Sequence, residues 1–307
     1  MTVDLAGIQL THPVLNGSGT FDAVAAQRTF GPSLIEDFPF SAFVSKTITP
    51  DPRGGNPPPR LWETPAGLIN SIGLPNKGLR GFLEHDLPDL SRLPVPLIVS
   101  VAGFSPGEFG SLVEAVEERP EVAALELNVS CPNVKSGCVM GSRTDEMTAL
   151  MKTVRKLARK PLIVKLTPNV SDVVAIAIAA EDGGADAISL VNTLRGLALD
   201  PATGRTWLGA STGGLSGPAI RPVALEMTYS VCERVGVPVI GMGGIESGLD
   251  AADFIAAGAT CVAVGTANFR DPAAGNRVAR ELAQLLAQRR VGSVRESVGS
   301  AHPQLPV

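Results

Sequence analysis

The sequence predicts a (β/α)8 barrel, and three observations carry the prediction. Eight short apolar runs recur along the 307 residues, each followed by a Gly/Pro/Asn cluster and then by a stretch with helical spacing. Most of these runs are continuous rather than alternating, as strands buried on both faces require. With 44% hydrophobic and 18% charged residues, the chain can bury a core large enough for one domain over 1–307. An open doubly wound sheet is the competing arrangement, and an unspecified α/β domain is the default.

In chain order, Val3–Leu10 reads as a small hairpin ahead of the barrel, turning at Ala6-Gly7. The strand-like runs follow: Pro13–Asn16, Ala42–Thr47, Pro96–Val101, Ala123–Val129, Pro161–Leu166, Asp186–Asn192, Pro238–Met242 and Cys261–Thr266. Helix candidates fill the gaps. Pro106–Glu118 carries Phe109, Leu112, Val113 and Val116 at helical spacing. Thr144–Lys160 sets Met147, Leu150, Met151, Val154 and Leu157 on one side, with basic residues near its end, where the helix dipole favours them. Ser171–Glu181, Ala219–Val235, Gly248–Ala257 and Pro272–Gln288 complete the set. Asp51–Pro75 is too long and too rich in Pro and Gly for a tight βα turn, so it is expected to be a functional loop inserted beside the site. The polar tail 291–307 is expected to be partly mobile, and no domain boundary, short repeat or low-complexity segment interrupts the chain.

Net charge is −4 without a basic block, which argues against nucleic acid or an anionic membrane as the partner. The N-terminus lacks the pattern of a signal peptide, and no apolar stretch reaches the ~18 residues that span a bilayer. Four cysteines in a chain this long are not a disulfide framework, so a reducing cytoplasm is the expected location.

In a barrel of this kind the site forms at the C-terminal ends of the strands. Every run delivers a polar or permissive group there: Asn16-Gly17-Ser18, Lys46-Thr47, Ser100, Asn128 with Cys131, Lys165, Asn192-Thr193, Gly243-Gly244 and Gly265-Thr266. A lysine ending a buried run, as Lys46 and Lys165 do, needs a partner at that depth or must snorkel to water. The glycines after the last two strands let backbone N–H groups approach a phosphate, and Thr266 adds a hydroxyl. A third cluster, Thr212–Gly217, lies between strands six and seven and reads as phosphate-binding or plain turn glycine. No dinucleotide fingerprint or P-loop is present, so a flavin mononucleotide or a sugar phosphate fits better than NAD or ATP. Three scattered histidines and no nucleophile elbow leave metal and Ser-His-Asp chemistry without support. Cys131 has three readings at this point: a buried thiol, a covalent nucleophile, or a general base.

The segments Ser45–Thr47, Asn70–Asn76, Glu126–Lys135, Asn192–Leu194, Thr212–Pro218, Gly241–Gly244 and Val264–Asn268 resemble, in order and across nearly the whole chain, the dihydroorotate dehydrogenases. Cysteine in the Ser-Cys-Pro-Asn segment resembles class 1, as does the lack of the N-terminal extension of class 2. Pro132–Gly137 and Asn192–Gly196 resemble the B type within class 1. That resemblance implies an FMN-bearing catalytic subunit in a heterotetramer built on a homodimer core, whose partner carries FAD and a [2Fe–2S] cluster and reduces NAD+. A fumarate-using A-type enzyme, another FMN pyrimidine oxidoreductase, and a non-catalytic flavin or sugar-phosphate barrel are the alternatives.

The resemblance also implies roles. Cys131 is the base that takes the C5 proton of dihydroorotate. Lys46, Asn70, Ser71, Ile72, Gly73, Leu74, Asn128, Asn133, Asn192 and Thr193 hold the substrate. Ser18, Lys46, Thr47, Ser100, Asn128, Lys165, Val191, Gly217, Gly243, Gly244, Gly265 and Thr266 hold FMN. Two positions depart from the pattern: Ser100 stands where many B-type relatives carry asparagine, and Cys138 where glycine is common. A second thiol at 138 is a candidate to pair with Cys131 under oxidation.

Overall fold

The computed structural model describes residues 1–31, 33–130 and 141–303. Eight parallel strands form a ring with helices outside it, a (β/α)8 barrel. The strands are β1 (Val14–Asn16), β2 (Phe43–Val44), β3 (Leu97–Val101), β4 (Val122–Asn128), β5 (Leu162–Lys165), β6 (Ala187–Leu190), β7 (Val239–Met242) and β8 (Cys261–Val264). All eight coincide with the apolar runs of the sequence. The backbone ladder runs β1–β8–β7–β6–β5–β4–β3–β2 and lacks only the pairing of β1 with β2.

A side chain closes that seam. Asn16 is fully buried, accepts from Val44 N–H at 2.8 Å and donates from Nδ2 to the Val44 carbonyl at 2.8 Å. It thus replaces one rung of ladder with an amide of matching polarity. Asn16→Leu would strand both Val44 groups in the core, and unpaired buried backbone costs about 1–3 kcal/mol per group. We expect Asn16→Leu to lose roughly 2–5 kcal/mol of stability on that basis, read from denaturant unfolding.

The hairpin sits where expected, as Val3–Leu5 paired with Ile8–Leu10, and Ala6 and Gly7 take the positive φ of its tight turn. Near it, His12 accepts from Val14 N–H at 3.3 Å. Burial, then the N-terminal charge, lowers its pKa to about 4. The unfolded chain therefore takes up this proton first, and the His12 contribution is lost as pH falls from about 6.5 to about 4. A His12→Asn variant should show a flatter dependence of melting temperature on pH across that window, by on the order of 1–3 kcal/mol.

Four helices match their sequence ranges closely: Pro106–Glu117, Val173–Asp182, Gly248–Ala256 and Ala274–Gln288. Ser105, Asp172 and Ser247 cap the first three by accepting from a first-turn N–H. The helix expected over Thr144–Lys160 stops at Val154, and the one expected over Ala219–Val235 runs Arg221–Cys232 after a 3-10 turn. The helix Ala23–Phe30 and the helical segment 78–90 are additions that periodicity did not single out.

The segment 51–75 is not a bare loop. It holds the strands Leu61–Thr64 and Gly67–Asn70, which pair with each other and then with Thr212–Ser216 and Leu194–Leu197 in a four-stranded antiparallel sheet. The turn reading of the Thr212–Gly217 cluster is thereby corrected: Thr212–Ser216 is a strand, with Gly217 directly after it. Its glycines answer to close approach, since a Cβ at Gly214 would sit 1.9 Å from Thr193 Oγ1. The tail is anchored as far as it is described. Val294 is buried, Gly299 N–H donates to Ile255 O, and His302 stacks on Tyr229 at 4.1 Å.

Candidate functional site

The strand ends bring most of the singled-out residues to one end of the barrel. After β2 the chain keeps bonding to β3, through Ser45 N–H to Ile98 O and Ile48 N–H to Ser100 O. That extension carries Lys46 and Thr47. The Lys46 stem lies against Gly19, where an added Cβ would come within 2.8 Å of it. Register aligns Asn128 on β4 with Lys165 on β5, and Lys165 with Ser189 on β6, so these side chains share one level of the barrel interior.

Lys165 is only 6% exposed, and its ammonium has no hydrogen-bond or ion-pair partner among the described residues. A cation held among the strand ends without a protein partner there marks the position as suited to an anionic or electron-rich ligand. Asn128 and Thr47 are also buried. Asn128 Nδ2 donates to Thr47 Oγ1 at 3.1 Å, and Ser18 Oγ lies 3.0 Å from the same oxygen. Ser130 Oγ donates to Asn128 Oδ1 at 2.6 Å and accepts from Asn192 Nδ2.

The inserted sheet presents the loop Asn70–Leu74. Gly73 and Leu74 both adopt positive φ, at 77° and 53°, so the chain curls tightly here. Asn56 holds one end, its N–H donating to Ile72 O at 3.0 Å and its Nδ2 to Ser71 Oγ at 2.9 Å. Asn76 holds the other, donating to Leu74 O at 2.9 Å and accepting from Gly78 N–H at 2.8 Å. Asn70 donates to Gly214 O at 3.2 Å, which ties the loop to the neighbouring strand.

Across the barrel, Gly243 and Gly244 have φ of 137° and 75°, and a Cβ on Gly244 would meet Gly217 O at 2.8 Å. Thr266 Oγ1 donates to Ser216 Oγ at 2.8 Å, and a Cβ on Gly217 would lie 3.6 Å from the Thr266 methyl. Gly217, Gly243, Gly244 and Thr266 thus meet in one place, with Gly265 directly preceding Thr266. Val191 follows β6, its N–H donating to Met242 O at 2.9 Å. Cys131 and Asn133, with Cys138, lie outside the described residues. Among the described residues no group of three or more His, Cys, Asp or Glu is arranged to hold a metal.

Sequence reasoning passed over Glu126, although it is a carboxylate inside an otherwise apolar run. It is 2% exposed and accepts from Ser100 Oγ at 3.1 Å and Ser189 Oγ at 3.2 Å. Its spacing of two from Asn128 puts both on the inward face, a signal that strand parity could have supplied. Asn56, Asn76 and Ser130 were also missed, because their roles depend on contacts with distant chain.

Comparison with known proteins gives a consistent set. A family model described as Dihydroorotate dehydrogenase matches residues 1–286. The catalytic subunit of dihydroorotate dehydrogenase B (NAD(+)) from Geobacter metallireducens is 44% identical over 301 residues, spanning 98% of this chain and 97% of that protein. The proteins of the same name from Pelobacter propionicus and Desulforudis audaxviator are each 46% identical, over 98% of this chain and 98% and 97% of theirs. A crystal structure of the Eimeria tenella enzyme in complex with ferulenol superposes with a TM-score of 0.81 at 26% identity, covering 98% of this chain and 88% of that one.

Proposed function

The chain belongs to the dihydroorotate dehydrogenase family, and on that premise we propose that it is the FMN-bearing catalytic subunit of a B-type enzyme that oxidises dihydroorotate to orotate in pyrimidine synthesis. The observation that carries the reading is Lys165, a largely buried lysine whose ammonium has no partner among the described residues, at the level of Asn128 inside the ring of strand ends. The described residues fit a flavin mononucleotide. Among the described residues a Cβ added at Gly265 would meet only the Thr20 methyl, at 3.8 Å, so that glycine leaves room beside Gly243, Gly244 and Thr266 for a phosphate. Ser18, Thr47, Ser100, Val191 and Gly217 complete the proposed cradle.

When bound, FMN supplies the two-electron acceptor for the hydride that leaves C6 of dihydroorotate. Lys165 provides fixed positive charge toward the flavin N1/O2 edge. Lys46 and the N–H groups of Ile72, Gly73 and Leu74 receive the substrate carboxylate. Asn70, Ser71, Asn128, Asn133, Asn192 and Thr193 meet the pyrimidine ring, whose amide groups both donate and accept. Cys131 takes the C5 proton, so loss of that proton and of the C6 hydride yields the ring double bond of orotate.

The relatives' shared name supports a partner subunit and NAD+ as acceptor. We assign FAD and a [2Fe–2S] cluster to that partner, with two copies of this chain at the centre of a heterotetramer. No helix among the described residues is long and apolar enough to cross a membrane, and we place the enzyme in the cytoplasm on its cysteine usage. Anaerobic dihydroorotate should bleach the flavin of the purified chain, and fumarate should fail to reoxidise it. A chain that takes up no flavin removes the proposal. Turnover with fumarate alone would move it to the A type.

A further inference from the structure

One chain of hydrogen bonds links the two asparagines to Glu126, and its direction is fixed at both ends. At one end Thr193 N–H, which can only donate, gives its proton to Asn192 Oδ1 at 2.8 Å. Asn192 Nδ2 therefore faces Ser130 Oγ, which donates its single hydrogen to Asn128 Oδ1 at 2.6 Å. Asn128 Nδ2 then donates to Thr47 Oγ1 at 3.1 Å. At the other end the Glu126 carboxylate, which only accepts, takes the hydrogen of Ser100 at 3.1 Å. With that hydrogen committed, Thr47 must be the donor in the Thr47–Ser100 contact of 2.9 Å. Ser18 donates to Ser45 O at 2.8 Å, and with the Thr47 hydrogen on Ser100 its 3.0 Å contact with Thr47 is the weaker branch of a shared hydrogen.

The consequence falls on Asn128. A flipped amide would need Thr47 to donate to its oxygen, and Thr47 has no hydrogen left while Ser100 is pinned to Glu126. In the observed orientation Asn128 Oδ1 also receives Ser130 N–H at 3.4 Å, so both its lone pairs are engaged. The amide has one group left for a ligand, its second N–H. Glu126 makes no ion pair among the described residues, and Ser189 occupies its other oxygen at 3.2 Å.

We infer that Glu126 is a positioning residue that sets ligand specificity: through Ser100 and Thr47 it acts with Ser130 to hold Asn128 as a donor only, so the site selects a ring carbonyl and rejects an amine there. The inference rests on the reading of Asn128 as a pyrimidine contact. Glu126→Met keeps the length and volume but removes the acceptor. It frees Ser100 to donate to Thr47 and Thr47 to donate to a flipped Asn128, so that the flip is opposed only from the Ser130 side, by its hydroxyl at 2.6 Å and its N–H at 3.4 Å. Glu126→Gln keeps an oxygen to place against Ser100.

The test is calorimetric binding to the FMN-loaded protein of orotate and of its two analogues in which one ring carbonyl is replaced by an amine. For the unmodified chain and Glu126→Gln, orotate should be preferred over at least one analogue by about 100-fold or more, since a site built around a polar contact discriminates strongly. In Glu126→Met that preference should shrink by about 10-fold or more, the worth of one buried polar mismatch. A Met variant that weakens orotate and both analogues equally would mean Glu126 only packs the barrel, and the inference fails. Equal preferences in the Met and Gln variants would also overturn it. An unmodified chain that binds no orotate would instead overturn the pyrimidine reading itself.

Discussion

Cys131→Ala is expected to slow flavin reduction by dihydroorotate by about 10²- to 10⁴-fold, the usual worth of a positioned general base. Orotate affinity should change by less than about 5-fold, because removing a group that acts only in the transition state lowers kcat without a matching change in ground-state binding. Cys131→Ser should resemble alanine rather than the parent. A serine hydroxyl is scarcely ionised near neutrality, whereas a thiol with an ordinary pKa of about 8.5 already holds some thiolate and gains more from any nearby positive charge. The same logic gives the pH profile. The anaerobic reduction rate should climb with pH to a plateau, with its midpoint at or below about 8.5, and the climb should vanish in both variants. Stopped-flow bleaching of the flavin reads all three quantities. Parent-like rates in the alanine variant would remove the base assignment, while a loss of orotate binding equal to the loss of rate would make Cys131 a ligand contact instead.

The barrel was legible because its strands are buried on both faces, so each appears as an unbroken apolar run such as Leu162–Lys165. The strand-end chemistry was legible for the same reason: a lysine, asparagine or glycine pair closing such a run is conspicuous. What escaped was structure whose partner is far away in sequence. Gly67–Asn70 pairs with Thr212–Ser216 across more than 140 residues, and the glycines that made 212–217 look like a turn are there because Thr193 and Asn70 crowd the strand. Glu126 escaped although its strand was read correctly. The run was weighed by hydropathy, and a carboxylate satisfied by Ser100 and Ser189 on two other strands is visible only once the ring is closed. Asn16 likewise looked like site chemistry and proves to be the fastening of the β1–β2 seam.

Lys165→Met is expected to move stability and function in opposite directions. Methionine keeps most of the aliphatic stem, so packing against the barrel interior is retained. The lysine it replaces is 6% exposed as a whole, and its ammonium is unpaired among the described residues. In the flavin-free chain that charge is a burden, since a largely buried lysine without a partner among the described residues gains little to offset the loss of hydration. The flavin-free variant should therefore melt at the same temperature as the parent or higher, by about 1–2 kcal/mol of added stability at most, in the range of replacing an unfavourable buried charge by an apolar side chain. The loaded protein should behave in the opposite sense. Without fixed positive charge at the flavin edge, the rate of reduction by dihydroorotate should fall by about 10²- to 10³-fold, the loss found when a preorganised electrostatic group is deleted. The flavin potential should fall as well, because negative charge on the reduced ring loses its counterion. Lys165→Arg would keep the charge but not the compact head, and should recover the potential better than the rate. Melting of the flavin-free protein, a potentiometric titration and a stopped-flow rate separate these effects. If flavin-free Lys165→Met melts well below the parent, the lysine is a structural element of the barrel, and its lack of a partner is no sign of a ligand. If stability holds while rate and potential collapse, the Lys165 charge is carried at a cost in the flavin-free chain and offset when flavin binds.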